Sequence, residues 1–243
     1  AAGETKTKPT QHSAGVLRTI GIFPDIILCR CENPLSDEDK DKISLFCSVR
    51  REAVIDEPDV KDSIYEGPLQ LKKEGIDDMI CNLLHLPNKN ARLTAWENLL
   101  DTIRNPKGEV QVAIVGKYLQ HQDAYKSVFE ALDHGAMATG FKLKIKRVDA
   151  DSLTSQKKAE EALADCHACL VPGGFGERGW EGKIIAATYC RETKTPYFGI
   201  CLGVQVLAVE FARNVMQVKE ANSTEIDPQT KHPVISLLSE QEG

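Results

Sequence analysis

From residue 109 onward the chain repeats one device, a short apolar run followed by a longer stretch with helical spacing. EVQVAIVG (109–116) reads as a strand, and DAYKSVFEALDHGAMATG (123–140) as a helix with Asp123 as N-cap and Gly140 as its stop. FKLKIKRVDA (141–150) alternates strictly, as a strand with one wetter face does, and SQKKAEEALADC (155–166) returns to helical spacing. ACLVPGG (168–174) is a buried strand ending in glycines, WEGKIIAATYCRET (180–193) a helix, TPYFGI (195–200) a strand and CLGVQVLAVEFARNV (201–215) a helix. Parallel strands need crossovers of this length, so the pattern predicts an α/β doubly wound domain with a parallel sheet covered on both faces.

The first hundred residues also alternate. AGVLRTIG (14–21) is a short helix and DIILCR (25–30) a strand. SDEDKDKISLFCS (36–48) is a helix with Ser36 as N-cap and Asp39 in the place of a capping-box glutamate. LTAWENLLDTIRNP (93–106) pairs Thr94 with Glu97 in a fuller capping box and stops at Pro106. RNPKGE (104–109) is the natural hinge, dividing the chain into 1–106 and 107–243.

Composition excludes several classes. The net charge of −6 gives no global field for nucleic acid or an anionic membrane. No apolar run approaches a membrane span, and the polar start AAGETKTKPTQHS has no secretory signal. The eight cysteines are scattered through apolar segments, which suits a reduced, cytoplasmic protein. Cys166 and Cys169 fit C-x-x-C, but no second pair follows at zinc spacing, so they read as strand cysteines and no metal site is expected.

Chemistry concentrates at GICLG (199–203). A cysteine on a strand-to-helix turn stands above the carboxyl edge of the sheet, flanked by glycines that tolerate strain, at a helix N-terminus that favours its thiolate. By itself this leaves Cys201 open as a nucleophile or as a small core residue at a tight turn. LVPGGFGERG (170–179) follows the preceding strand, so its glycines reach the same edge and can present backbone N–H groups to an oxyanion. Together the two motifs point to acyl transfer from an amide.

VPGGFGERGWEGKI, PYFGICLGVQ and ANSTEID resemble the class I glutamine amidotransferase family, and in particular its CTP synthase branch. KTKPTQHS, GIFPDIILCR, KISLFC, DVKDSIYEGPLQL and GKYLQHQDAYKS are similar to the synthetase domain of the same branch and its junction. The resemblance implies the C-terminal part of an α/β synthetase domain followed by the beginning of a class I glutaminase domain, a central piece lacking both ends. It also implies ATP-dependent amination of UTP to CTP with ammonia from L-glutamine. In that reading Cys201 attacks the glutamine amide, Gly174, Leu202, Gly203, Val204 and Gln205 form the oxyanion and substrate pocket, and Glu225 binds the substrate amino group. Lys6, Thr7, Lys8, Pro9, Thr10, Gln11 and Lys42 would bind UTP or inhibitory CTP, and Pro58, Asp59 and Val60 the adenine of ATP. Pro58 has no N–H to donate, and its loop is one residue longer than the family pattern.

The resemblance further implies GTP as effector, Mg2+ with ATP on carboxylates outside this chain, and a homotetramer. The family's base, in a His-x-Glu motif, is missing: none of the six histidines has Glu two residues on, and His121-Gln-Asp123 is the nearest mimic. The chain alone is therefore expected not to make CTP, to hydrolyse glutamine poorly, and to self-associate through uncovered apolar edges. Another class I amidotransferase, a cysteine hydrolase of similar fold, or a truncated regulatory paralogue remain the alternatives.

Overall fold

The computed structural model describes residues 6–60, 62–87, 91–117 and 124–236, and the chain divides into two compact units, Ala1–Arg104 and Asn105–Gly243. The expected N-cap Asp123 and the His121 mimic lie outside the described residues.

In the first unit α1 (Lys8–Thr19), β1 (Ile27–Cys31), α2 (Asp37–Cys47) and β2 (Val54–Pro58) are followed by α3 (Gly67–Lys73), α4 (Ile76–Leu83) and α5 (Thr94–Arg104). β1 and β2 run parallel, from Ile27 opposite Val54 to Cys31 opposite Pro58, with α2 between them in the chain. Ala14 from α1 and Ile43 and Cys47 from α2 close a core with Val49, Ala53 and Val54. Ser36 caps α2 as expected, its Oγ accepting the Asp39 N–H at 3.1 Å.

Three features of this unit differ from the sequence reading. α1 starts at Lys8 rather than Ala14, with Pro9 in its first turn, where a missing N–H costs nothing. α5 begins on Thr94 itself, and the Glu97 N–H bonds to the Leu93 carbonyl at 3.0 Å, so Leu93 holds the position expected of Thr94. β2 was not legible because Asp56 interrupts its apolar run; the strand forms because that carboxylate pairs with Lys40 of α2 and accepts the Leu35 N–H at 3.2 Å.

The second unit runs β3 (Glu109–Gly116), α6 (Lys126–Thr139), β4 (Lys142–Asp149), α7 (Gln156–Leu163), β5 (Ala168–Val171), α8 (Trp180–Thr193), β6 (Tyr197–Gly199), α9 (Leu202–Asn214), β7 (Ala221–Ser223) and β8 (His232–Ile235). Its main sheet has the order β4-β3-β5-β6, all parallel, as the alternating pattern predicts. Successive residues of β3 serve opposite faces. Val112 and Ile114 pack with Leu170 against Val128, Phe129 and Leu132 of α6. Ala113 and Val115 pack with Cys169 and Val171 against Ala159 and Leu163 of α7 and Ala186 and Cys190 of α8. The C-x-x-C cysteines are thus free, Cys169 buried in the sheet and Cys166 half-buried before it. α8 and α9 share a further apolar cluster of Trp180, Ile184, Leu202, Val206 and Val209. Gly140 ends α6 at φ +80, the left-handed geometry expected of a glycine stop.

Candidate active site

β5 and β6 pair in register with Val171 opposite Gly199, and the Ile200 N–H bonds to the Val171 carbonyl at 3.0 Å. The two loops that leave these strands therefore start side by side at the carboxyl edge of the sheet, where open α/β sheets bind ligands. Cys201 sits on the second loop at φ +50, ψ −110, and it is exposed. A non-glycine residue in this region is strained by about 1–3 kcal/mol, which marks functional turns.

The flanking glycines are there because nothing larger fits. A Cβ on Gly199 would lie 2.3 Å from the backbone of Gly203, and one on Gly203 would lie 2.1 Å from the Val171 carbonyl oxygen. The Tyr197 hydroxyl donates to the Gly203 carbonyl at 2.8 Å and braces the turn from below; burial holds that phenol protonated, far above its ordinary pKa. α9 opens directly after the sulfur; the Gly203 N–H is taken by the Ile200 carbonyl at 2.9 Å and the Val204 N–H by the Cys201 carbonyl at 3.0 Å, and the Leu202 N–H directly follows Cys201 in the chain.

The glycine loop meets Cys201 from β5. A Cβ on Gly173 would be 3.5 Å from the Cys201 Cβ, in ordinary contact, and Gly174 lies against the Leu202 side chain. The Lys117 ammonium, at the end of β3, donates to the Phe175 carbonyl. Gly176, at φ +72, donates its N–H to the Glu225 carboxylate at 2.9 Å. Glu225 follows β7, and Asn222 of that strand accepts the Trp180 indole N–H at 3.1 Å, which ties the NSTE segment to α8.

Gly174, Leu202, Gly203, Val204, Gln205 and Glu225 are thus gathered around Cys201 and its loop in one unit. Leu202 and Gly203 are buried beneath the turn, Val204 is exposed, and the buried Gln205 Oε1 has no hydrogen-bond partner among the described residues. Sequence reasoning missed Lys117 and Lys183. The second is the more legible, a charge inside the apolar spacing of WEGKIIAA. It is 1% exposed, and its pKa is lowered to about 8 by burial and by repulsion from Lys117, offset in part by Asp151.

The nucleotide residues lie in the other unit. Lys8–Gln11 form the first turn of α1, Lys6 and Thr7 precede it, and the Gln11 amide donates to the Thr7 hydroxyl at 3.1 Å. Lys42 is on α2, paired with Glu38 at 2.6 Å. Pro58, Asp59 and Val60 line a cavity of about 200 Å³ with Arg30, Glu57, Ile64 and Gly67, and the Asp59 N–H is taken by the Cys31 carbonyl at 2.8 Å. Among the described residues no group of three metal-ligating side chains occurs, and no helix is long and apolar enough to cross a membrane.

Residues 1–86 match the family model "CTP synthase N-terminus" and residues 120–239 match "Glutamine amidotransferase class-I". CTP synthase of Protochlamydia amoebophila is 67% identical over 244 residues, covering 100% of this chain and 45% of that protein. CTP synthase of Chlamydia caviae is 54% identical over 242 residues, covering 99% of the chain and 44% of the relative. The chain thus spans a little under half the length of these curated relatives. Among solved structures, the Trypanosoma brucei CTPS glutaminase domain with bound acivicin superposes with TM-score 0.52 at 39% identity, over 55% of this chain and 52% of that one. Two family models in succession, each on its own structural unit, and relatives matching end to end leave one assignment: the chain belongs to the CTP synthase family.

Proposed function

We propose that the second unit performs the glutaminase half-reaction of a CTP-forming enzyme. The observation that carries this reading is the strained, exposed Cys201 packed edge to edge with the Gly173–Gly174 loop. The Cys201 thiolate attacks the carboxamide carbon of L-glutamine, and backbone N–H groups of the glycine loop and of Leu202 take up the oxyanion. Collapse breaks the C–N bond; the nitrogen takes up the proton that the thiol released to solvent and leaves as ammonia, and a γ-glutamyl thioester remains for water to hydrolyse. Glu225 meets the substrate ammonium, a charge-assisted contact that also orients Gly176.

The first unit takes the nucleotides. Lys6, Lys8 and Lys42 supply cations for the triphosphate of UTP or of inhibitory CTP, within the segment Lys6–Gln11 and on α2. The cavity at Pro58–Val60, about 200 Å³, is of a size for a purine base, which fits the adenine of ATP rather than the whole nucleotide.

The 243 residues hold a thiol and an oxyanion loop but no His-x-Glu pair to move protons, so acylation should outrun turnover. A chloroketone analogue of glutamine is expected to add once per chain, at Cys201, and not to add to Cys201→Ser. With glutamine itself the chain should release at most about one ammonia per thiol. Labelling spread over the other cysteines would overturn the glutaminase reading, and steady ammonia release would overturn the single-turnover expectation.

A further inference from the structure

Lys183 is the most deeply buried cation in the described residues. It lies on α8 at 1% exposure, and among those residues no carboxylate is within ion-pair distance of its ammonium. A buried, unpaired charge is costly, and most lysines escape to solvent along their flexible stems. This one ends under the glycine loop. A Cβ added to Gly174 would lie 3.8 Å from the Lys183 Nζ, 3.6 Å from the Lys117 Cε and 3.6 Å from the Leu202 Cδ2. The side of Gly174 that a side chain would occupy is therefore shared by two lysines and the residue that follows the nucleophile.

We propose that Lys183 is a positioning residue of the glutaminase centre: its ammonium lies behind the Gly173–Phe175 peptides and favours the orientation in which their N–H groups face the oxyanion formed at Cys201. The inference rests on the glutaminase reading above. A positive charge on the interior side of the loop attracts peptide carbonyls inward, which turns the corresponding N–H groups toward the sulfur. It also lowers the energy of any negative charge that develops at the loop, and in a water-poor interior that influence is strong. Lys117 completes the arrangement by holding the Phe175 carbonyl directly. Lys183 does not touch substrate; it acts through the loop.

Two reagents separate this role from a structural one. A glutamine chloroketone passes through a tetrahedral oxyanion at Cys201, whereas iodoacetamide alkylates the same thiolate by direct displacement with no oxyanion. The ratio of their rates on the full chain reports the loop, since thiolate content cancels. Lys183→Met should lower this ratio about tenfold, less than the hundredfold or more lost when an oxyanion donor is removed outright. Lys183→Arg should restore part of it.

The unmodified chain offers a second measurement. Burial lowers the Lys183 pKa to about 8, with Lys117, just after β3, contributing to the fall and Asp151, in the turn after β4, opposing it. Its ammonium is present below that pH and lost above it, so the ratio should fall as pH rises from 7 to 9. This arm stands even where Lys183→Met fails to fold by thermal denaturation. An unchanged ratio in a folded Lys183→Met, or a flat pH profile, overturns the proposal. A wild-type chain that reacts with iodoacetamide but not with the chloroketone rejects the glutamine reading itself, a separate result.

Discussion

Cys201 holds a backbone conformation that few side chains adopt, and its neighbours show what keeps it there. Gly199 and Gly203 let β6, the first turn of α9 and the end of β5 approach to within a Cβ's width, and Tyr197 fastens the turn by its hydroxyl. The strain is thus over-determined by packing rather than relieved. Gly203→Ala places a methyl against the Val171 carbonyl oxygen, backbone on backbone, with no flexible side chain to give way. We expect it to destabilise the second unit by about 2–3 kcal/mol and to cut chloroketone labelling of Cys201 at least tenfold, read by thermal unfolding and intact-mass spectrometry. Normal labelling at normal stability would show that the turn has slack the geometry does not reveal.

Elements in the first unit depend on one charged pair. β2 carries Asp56 at 9% exposure, and α2 reaches it with Lys40, both side chains largely withdrawn from water. Burial pushes the Asp56 carboxyl up, but the Lys40 ammonium and the backbone N–H groups, Leu35 among them, outweigh it and hold the pKa below the ordinary aspartate value. A depressed folded-state pKa contributes stability that is present above the unfolded value and lost as pH falls through the folded one. The first unit should therefore weaken below about pH 4. Asp56→Asn should cost about 2 kcal/mol at pH 7, because Lys40 is left largely buried and without its carboxylate, and should flatten this acid limb. Urea midpoints at pH 7 and at about pH 2.5, below the ordinary aspartate value, check both, and equal losses in mutant and wild type on acidification would assign the acid limb elsewhere.

For the molecule as a whole, the telling surface is the outer side of α9. Val204, Leu207 and Phe211 stand exposed there and, with Met216, Val218 and Val234, line an apolar groove of about 720 Å³. Exposed apolar side chains clustered on one face favour association. The 243-residue chain should accordingly self-associate with rising concentration and with added sulfate, and Phe211→Lys should reduce this without lowering thermal stability. Sedimentation velocity decides; a monomer at all concentrations would mean that the groove is too shallow to act.

How much of this was legible in the sequence follows from the range of the interactions involved. The alternation from 109 to 215, the cap at Ser36, the stop at Gly140 and the Gly-flanked Cys201 were readable because each depends on residues adjacent in the chain. Where the local signal depended on a distant partner it failed: β2 hides behind Asp56 until Lys40 arrives, and Thr94 yields its expected capping place to Leu93. The motifs named Gly174 and Glu225, but only the fold showed Glu225 bonded to Gly176, forty-nine residues away. Periodicity says which side of a helix is apolar, but it does not say what a lysine on that side finds there. That Lys183 ends under Gly174, beside Lys117, was decided by the pairing of β3, β5 and β6, which brings three separate chain segments to one edge.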